Sequence, residues 1–431
     1  MTKDLTPYIT AFDLMEQNMN GLKNSSIYPL RLKAMAEFEK LGIPSNRHEE
    51  WKYIKVSRFF KELPAIANPT IEPSIDLPEF LPSLKANRIV CIDGVYSEKN
   101  SSFIDEGFNS YFRSLQHAYN ANDPIVFNYL NKLLKIEEQH FAALNMAFAQ
   151  DGVFIHLPDN FSPDFPIIIV NVVTGKHLVN SRNLVVIGES SSAQIIEKVI
   201  SMEDSAYHNA ATEIYLQENA KLHHTVIQDE RKDLCLINNT EVLQKRDSQY
   251  NAVTVSLNGS LIRNNLHVRY DGENCDCHLN GLYFGRSSDL IDNHILVDHR
   301  KPNCTSNQLY KGLLDDKSEG VFNGKIFVRE DAQKTNAFQS NQNILLSDNA
   351  GINTKPQLEI FADDVKCSHG ATSGQLNDEA LFYLQTRGIS KERAKALVSY
   401  AFANEIVEKI ENESVQNYVR EILLDLFELT L

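Results

Sequence analysis

The sequence has little cysteine, no excess of positive charge and no long apolar run. Its six cysteines in 431 residues include no CxxC pair, so neither a disulfide framework nor a zinc site of the usual spacing is indicated, and reduced thiols are expected. Acidic residues outnumber basic ones by 57 to 42, which argues against nucleic-acid binding because phosphate contacts need a basic surface. No segment approaches the roughly 20 apolar residues that span a bilayer. The composition indicates a soluble globular protein of two or three domains.

Two further absences bear on location and chemistry. The first ten residues, MTKDLTPYIT, carry an acid and no apolar core, so we expect no secretion signal and a cytoplasmic protein. The chain has no GxxxxGK(S/T) phosphate loop and no flavin or nicotinamide fingerprint. Hydrolysis of ATP is therefore not expected of this chain.

The first predicted region, residues 1–150, is mainly helical. Apolar spacing predicts helices over Tyr28–Leu41 and Glu137–Gln150. Between them lies the segment Arg47–Tyr53, RHEEWKY, which holds the only tryptophan. Five prolines between positions 64 and 82 exclude a regular helix, so this stretch is predicted to be an extended connector.

From residue 151 to residue 372 the sequence changes to short β-type runs. No helix-length pattern separates them, which rules against a βαβ sheet. Later runs start about every 15 residues, so that two runs make a coil of about 30, as in a β-solenoid. A sandwich, a barrel and a propeller are the alternatives, but the amide-rich run Asn336–Asn343 suits stacked ladders better than a sandwich. The main predicted runs are Val153–Leu157, Pro166–Val173, Leu184–Gly188, Ala193–Ile200, Lys221–Gln228, Ala252–Leu257, His267–Tyr270, Cys277–Phe284, His294–Asp298, Gly320–Val328, Ala337–Leu346 and Gln357–Phe361.

The third region, residues 373–431, is predicted to be a small helical domain. Helices are expected over Asp378–Arg387, Lys391–Ile410 and Val415–Leu429. An apolar stripe with i, i+4 spacing follows the second helix, at Val398, Phe402, Ile406 and Ile410. Because three helices bury little apolar surface by themselves, this domain is expected either to dock a partner protein or to cap the solenoid.

The segment Asp363–Gly374, DDVKCSHGATSG, holds the candidate metal ligands Cys367 and His369. In an extended strand these side chains point to the same side about 6.5–7 Å apart. That is too far for a Cys–His nucleophilic pair but compatible with two ligands to one metal ion or cluster, or with a group that faces a partner chain. A buried thiol beside an ordinary histidine is the alternative.

Other groups of polar residues are interpreted as structural. They are Cys275, Cys277, His278, His223 and His224. Adjacent carboxylates at Asp315–Asp316 and Asp363–Asp364 would serve a β-solenoid carbohydrate-active enzyme as paired acids or calcium ligands. This alternative is weakened because neighbouring residues of a strand point to opposite faces.

The long segment Asn353–Ser390, which includes CSHGATSG, resembles the C-terminal signature of the SufB/SufD family, the scaffold subunits of SUF iron–sulfur cluster assembly. Stretches at Arg47–Tyr53, Phe141–Pro158 and Lys334–Ala350 are of the same family type. The RHEEWKY element and the lack of any cysteine before Cys91 resemble the SufD branch of the family rather than the SufB branch.

The resemblance implies a mainly β fold, a right-handed parallel β-helix flanked by helical N-terminal and C-terminal domains. It implies a non-catalytic scaffold that pairs with a SufB-like subunit, β-helix to β-helix, and docks a SufC-like ATPase through its C-terminal helices. A nascent iron–sulfur cluster would form transiently between the SufB and SufD subunits for transfer to apo-proteins, and the isolated chain would hold none stably. A homodimer in the absence of SufB is left open.

By the same resemblance, His369 is this chain's ligand to the nascent cluster, shared with SufB. Cys367 is a second, weaker candidate, and the stripe Val398, Phe402, Ile406 and Ile410 is the candidate surface for SufC. A metal-free structural adaptor is the alternative, and it differs from the scaffold only in the role of His369.

Overall fold

The computed structural model describes residues 4–18, 27–60, 62–67, 79–105, 107–230 and 233–429. Pro69, Pro73 and Pro78 of the expected connector lie outside these residues. None of the described helices has the length and apolarity needed to cross a membrane.

Helices lie toward both ends of the chain and strands fill the middle. The helices are α1 (Thr6–Asn18), α2 (Tyr28–Leu41), α3 (Val56–Phe59), α4 (Leu115–Asn120), α5 (Pro124–Tyr129), α6 (His140–Phe148), α7 (Asp378–Thr386), α8 (Lys391–Val407) and α9 (Glu413–Leu426), with single 3₁₀ turns at Glu49–Trp51 and Phe108–Ser110. The strands before the solenoid are β1 (Asn87–Ile92), β2 (Val95–Tyr96) and β3 (Phe112–Ser114). The strands of the solenoid are β4 (Gly152–Leu157), β5 (Ile167–Val173), β6 (Leu178–Ile187), β7 (Ser192–Ser201), β8 (Tyr207–Leu216), β9 (Lys221–Gln228), β10 (Cys235–Gln244), β11 (Gln249–Ser256), β12 (Leu261–Tyr270), β13 (Asp276–Gly285), β14 (Leu290–His299), β15 (Thr305–Leu314), β16 (Glu319–Val328), β17 (Thr335–Leu345), β18 (Gly351–Ile360) and β19 (Val365–Gly374).

The central strands form a β-solenoid of about eight turns, which confirms the predicted fold class. Even-numbered strands from β4 to β18 pair in parallel in one sheet, here called sheet A, and odd-numbered strands from β5 to β19 pair in parallel in a second, sheet B. Leu261 pairs with Leu290, and Leu290 with Glu319, so one coil takes about 29 residues, close to the predicted period. β1 adds to sheet B beside β5. The expected domain boundaries at residues 150 and 372 stay a prediction.

One turn of each coil repeats the same backbone conformation. A single residue there has a positive φ, which Asn, Asp and Ser tolerate better than bulkier side chains do. Its backbone N–H donates to a carbonyl of the next coil, as Ser190 does to Glu218 at 2.9 Å and Asn219 to Arg246 at 2.8 Å. The turns therefore continue the hydrogen-bond ladder of the sheets. Members of this column are Asn160, Ser190, Asn219, Asp247, Asn274, Asn303 and, as the one long side chain, Lys334.

Side chains that point into the solenoid are mostly apolar, with amides stacked from coil to coil. The Nε2 of Gln339 donates to Oε1 of Gln308 on the preceding coil at 2.9 Å, and within β17 the Nδ2 of Asn343 donates to Oδ1 of Asn341 at 2.7 Å. These buried bonds satisfy groups that would otherwise cost about 1–3 kcal/mol each. The amide-rich run therefore stacks inside the solenoid, as its sequence predicts.

The N-terminal helices are held on the outer face of sheet A by a buried carboxylate. Glu213 on β8 accepts a bond from Arg182 at 2.5 Å, and neither side chain is exposed. It also accepts the backbone N–H groups of Asn131 at 2.6 Å and Leu133 at 2.8 Å. One side chain thus joins two coils to the loop that precedes α6.

We expect Glu213→Gln to lower the free energy of unfolding by about 3–5 kcal/mol, because the guanidinium of Arg182 would stay buried without its carboxylate. Glu218→Gln is the matched control, since it removes an exposed pair with Arg246 that contributes at most about 1 kcal/mol. Denaturant unfolding followed by far-ultraviolet circular dichroism measures both. Equal losses would contradict the anchoring role.

Candidate functional site

The last coil of the solenoid leaves both of its strands with an unpaired edge. β18 ends sheet A and β19 ends sheet B, so each has a strand partner on one side only among the described residues. Three large apolar side chains stand exposed at this open end, Phe338 at 42%, Ile360 at 38% and Phe361 at 60%. Free backbone groups beside exposed apolar side chains are typical of a surface that a second chain covers.

His369 lies on β19 in an inward-facing column that ends at the open coil. It pairs in register with Gln339, which itself pairs with Gln308. Gln308 and Gln339 are buried, but His369 is exposed because no coil follows β19. No hydrogen bond joins its ring to any described residue, so both ring nitrogens are free to bind a metal or a partner group.

Cys367 lies on the same side of β19, two residues from His369, as the extended-strand prediction requires. It pairs with Ala337 and packs on the small apolar cluster that includes Ile326 and Val328. Burial raises the pKa of the Cys367 thiol. The thiol therefore stays protonated near neutral pH and acts first as an apolar residue that closes the end of the core.

The other cysteine and histidine groups are not brought together as metal sites. Cys277 points into the core, while His278 points outward and contacts Asp276 at 3.2 Å, which raises the pKa of its imidazole. His224 points inward to Glu197 at 3.0 Å and to the hydroxyl of Tyr250 at 2.9 Å. Within the described part of the chain, no three His, Cys, Asp or Glu side chains are placed to hold a metal ion.

The adjacent aspartates at Asp315–Asp316 and Asp363–Asp364 lie in turns between strands of the solenoid. The Oδ2 of Asp316 accepts the backbone N–H of Ser287 at 2.8 Å, and Asp316 itself has φ of 51°. At the next turn, the N–H of Asp364 donates to Oε1 of Gln333 at 2.9 Å. The carboxylate of Asp316 therefore has a structural role, which weakens the paired-acid alternative at Asp315–Asp316, whereas at Asp364 only the backbone N–H takes part.

The expected docking stripe, which follows α8 and ends beyond it at Ile410, is covered by the chain itself at two of its four residues, and its role in docking stays a prediction. Ile406 and Ile410 are 0% and 1% exposed and pack on the outer face of sheet B. Val398 and Phe402 are half-buried, and the Phe402 ring lies 4.3 Å from the ammonium of buried Lys311. The i, i+4 spacing identified an apolar face correctly but not what covers it.

The exposed apolar surface of the C-terminal helices lies on α7 instead. Phe382 and Tyr383 are 69% and 58% exposed, whereas Leu381 beside them is buried. In the sequence, three consecutive large apolar residues, LFY, make an arc too wide for one helix face to bury. That pattern is the signal that would have found this surface.

Known proteins resemble the chain along nearly its whole length. Residues 2–169 match the SufBD protein N-terminal region, and residues 170–402 match the SufBD core domain of SUF system iron–sulfur cluster assembly. The chain is 31% identical to an iron–sulfur cluster assembly SufBD family protein of Synechocystis, over 95% of this chain and 93% of that protein. It is 28% identical to the iron–sulfur cluster assembly protein SufD of Escherichia coli, over 93% and 92% of the two chains. Because both the N-terminal region and the core domain of the family match this chain, the protein belongs to the SufBD family of iron–sulfur cluster assembly proteins.

Proposed function

We propose that this chain is a non-catalytic, SufD-type scaffold subunit, located in the cytoplasm, that offers His369 to a nascent iron–sulfur cluster at an interface with a SufB-like subunit. The observation that supports this most is the exposed, unpartnered imidazole on the terminal coil. Neutral imidazole is a good iron ligand. One imidazole cannot hold a cluster, so the other ligands, including thiolate, come from the partner.

The open end supplies the surface for this pairing. A second solenoid that continues the sheets beyond β18 and β19 would satisfy their free edges and cover Phe338, Ile360 and Phe361. A cluster held between two chains is released when either chain moves. This suits a scaffold that passes its cluster to apo-proteins.

We place the contact with a SufC-like ATPase on α7, where Phe382 and Tyr383 are exposed. This chain has no phosphate loop, so ATP hydrolysis belongs to that partner. Val398 and Phe402, half-buried on α8, form a secondary part of the proposed surface, and Ile406 and Ile410 act within the chain's own core.

Replacing Phe382 with Asp should abolish co-purification with the SufC-like subunit, because an apolar anchor would become a charge that must lose its water in the contact. Leu32→Asp is the control, since Leu32 is exposed on α2, far from α7 in the chain. Circular dichroism should show unchanged strand content in both variants. If Phe382→Asp co-purifies with as much ATPase as the wild type does, the docking surface does not lie on α7.

The chain purified without partners should hold no stable cluster and hydrolyse no ATP. After anaerobic reconstitution with iron and sulfide followed by desalting, we expect iron and acid-labile sulfide well below one per chain, because too few soft ligands converge at one place. Stoichiometric iron and sulfide would contradict this, and the group of Cys275, Cys277 and His278 would then be the first to replace.

A further inference from the structure

A polar cleft separates the N-terminal region from the outer face of sheet A. One wall is the segment Glu49–Trp51, and the other is formed by residues 135–141. The even-numbered strands from β10 to β18 form the floor. Its volume is about 520 Å³. This lies within the range of about 300–1,000 Å³ that small-molecule sites occupy, and such sites favour boundaries between two parts of a protein.

The floor of the cleft has four cationic side chains, Arg263, Arg269, Lys325 and Lys355, against one carboxylate, Glu241, in a chain of net charge −15. Three further carboxylates, of Glu49, Glu50 and Glu138, lie on its walls. Lys325 and Lys355 line it, and their only ion pairs among the described residues are with Glu359 at 2.7 Å and Glu49 at 2.8 Å. Both carboxylates are exposed on the rim. Exposed pairs contribute at most about 1 kcal/mol, so an incoming anion can take their place.

Deeper in the cleft, the hydrogen bonding is incomplete. Arg269 and His267 share the carboxylate of Glu241, at 2.8 Å and 3.0 Å. Within the described residues, Arg269 Nε, His267 Nε2 and Gln139 Oε1 are buried without a hydrogen-bond partner. Each such atom costs about 1–3 kcal/mol. A bound molecule or water that reaches them recovers part of that cost.

One wall carries the only tryptophan of the chain. The Trp51 ring lies 3.9 Å from the guanidinium of Arg263 and 5.4 Å from the ring centroid of Phe141. Arg263 is buried and tied to Asp292 at 2.6 Å, which fixes the position of the indole. Trp51 is only 7% exposed, so it borders the cleft as a largely buried ring whose surroundings a bound molecule would change.

We propose that this cleft binds a small organic oxyanion, bearing carboxylate or phosphate groups, with Lys325 and Lys355 as its main contacts. The two lysines lie on the last two strands of sheet A, Lys325 on β16 and Lys355 on β18, so the ligand would contact the terminal coil of the solenoid. The site is separate from His369, so this proposal does not depend on whether the chain binds a cluster.

The test uses the fluorescence of Trp51 in the purified full chain, titrated with citrate and, in a second series, with inorganic pyrophosphate. We expect a saturable change with at least one of them, and about tenfold weaker binding in Lys325→Gln and in Lys355→Gln, the effect of losing one charge contact. Lys221→Gln, an exposed lysine on β9 in sheet B, is the matched control and should bind as the wild type does.

Each outcome decides the proposal. Saturation with citrate alone identifies a carboxylate ligand, and saturation with pyrophosphate alone a phosphate ligand. If neither anion gives a saturable change up to about 10 mM, any binding is weaker than that of a specific site. That result would overturn the proposal. Equal affinity in the wild type, Lys325→Gln and Lys355→Gln would also overturn it, because binding would then lie outside the cleft.

Discussion

Replacing His369 with Ala should lower the cluster content of the complex with SufB-like and SufC-like subunits by at least about tenfold. Removing a residue that only hydrogen-bonds to a metal ligand already costs about tenfold or more, so the loss of a ligand itself should cost no less. The complex itself should stay assembled. His369 is exposed, so the loss of stability should be within about 0.5 kcal/mol. Iron and acid-labile sulfide per complex, after anaerobic reconstitution, measure the effect.

Two variants on the same strand are the controls for His369→Ala. His369→Cys should keep part of the cluster, because a thiolate is also an iron ligand. Cys367→Ala should leave the cluster content closer to wild type and lower stability by about 1 kcal/mol, because a half-buried side chain is shortened. A metal-free adaptor predicts the opposite order, with near-wild-type cluster content in His369→Ala and a larger effect from Cys367→Ala.

Replacing Phe361 with Asp should weaken association with the SufB-like subunit by at least about 30-fold, the effect of losing an interface anchor of about 2 kcal/mol. Phe361 is the most exposed apolar residue at the open end, and the introduced carboxylate would lose its water on binding.

The matched control for Phe361→Asp is Ile104→Asp. Ile104 is 45% exposed, and it lies near β1 at the opposite end of sheet B. Binding measured by surface plasmon resonance should change for Phe361→Asp alone. Equal affinity of the two variants would mean that the partner does not cover the open end.

The period of the strands was enough to predict the solenoid, but it did not reveal every strand. β8, β10, β15 and β19 match none of the main predicted runs, because each carries inward or outward polar residues that break the apolar pattern. In β8, for example, Asn209, Thr212 and Glu213 are all buried. Backbone pairing with both neighbouring coils stabilises β8 although its apolar pattern is weak. Such pairing cannot be recognised in a single sequence.

The candidate site was predictable in part. The two-residue spacing placed Cys367 and His369 on one side of a strand, and the structure confirms this. His369 is exposed because the solenoid ends at β19, whereas Cys367 is half-buried because it packs on the cluster that includes Ile326 and Val328. Local sequence encodes neither. The stripe on α8 shows the same limit, because spacing indicates an apolar face, whereas only the fold shows that sheet B covers Ile406 and Ile410.

The most direct test of the central claim is pulsed electron paramagnetic resonance of the reduced, reconstituted complex, with nitrogen-15 histidine incorporated into this chain alone. We predict a hyperfine coupling from one histidine nitrogen in the wild type, and its loss in His369→Cys with a cluster still present. A cluster without that coupling in the wild type, or an unchanged coupling in His369→Cys, would contradict the assignment of His369 as an iron ligand.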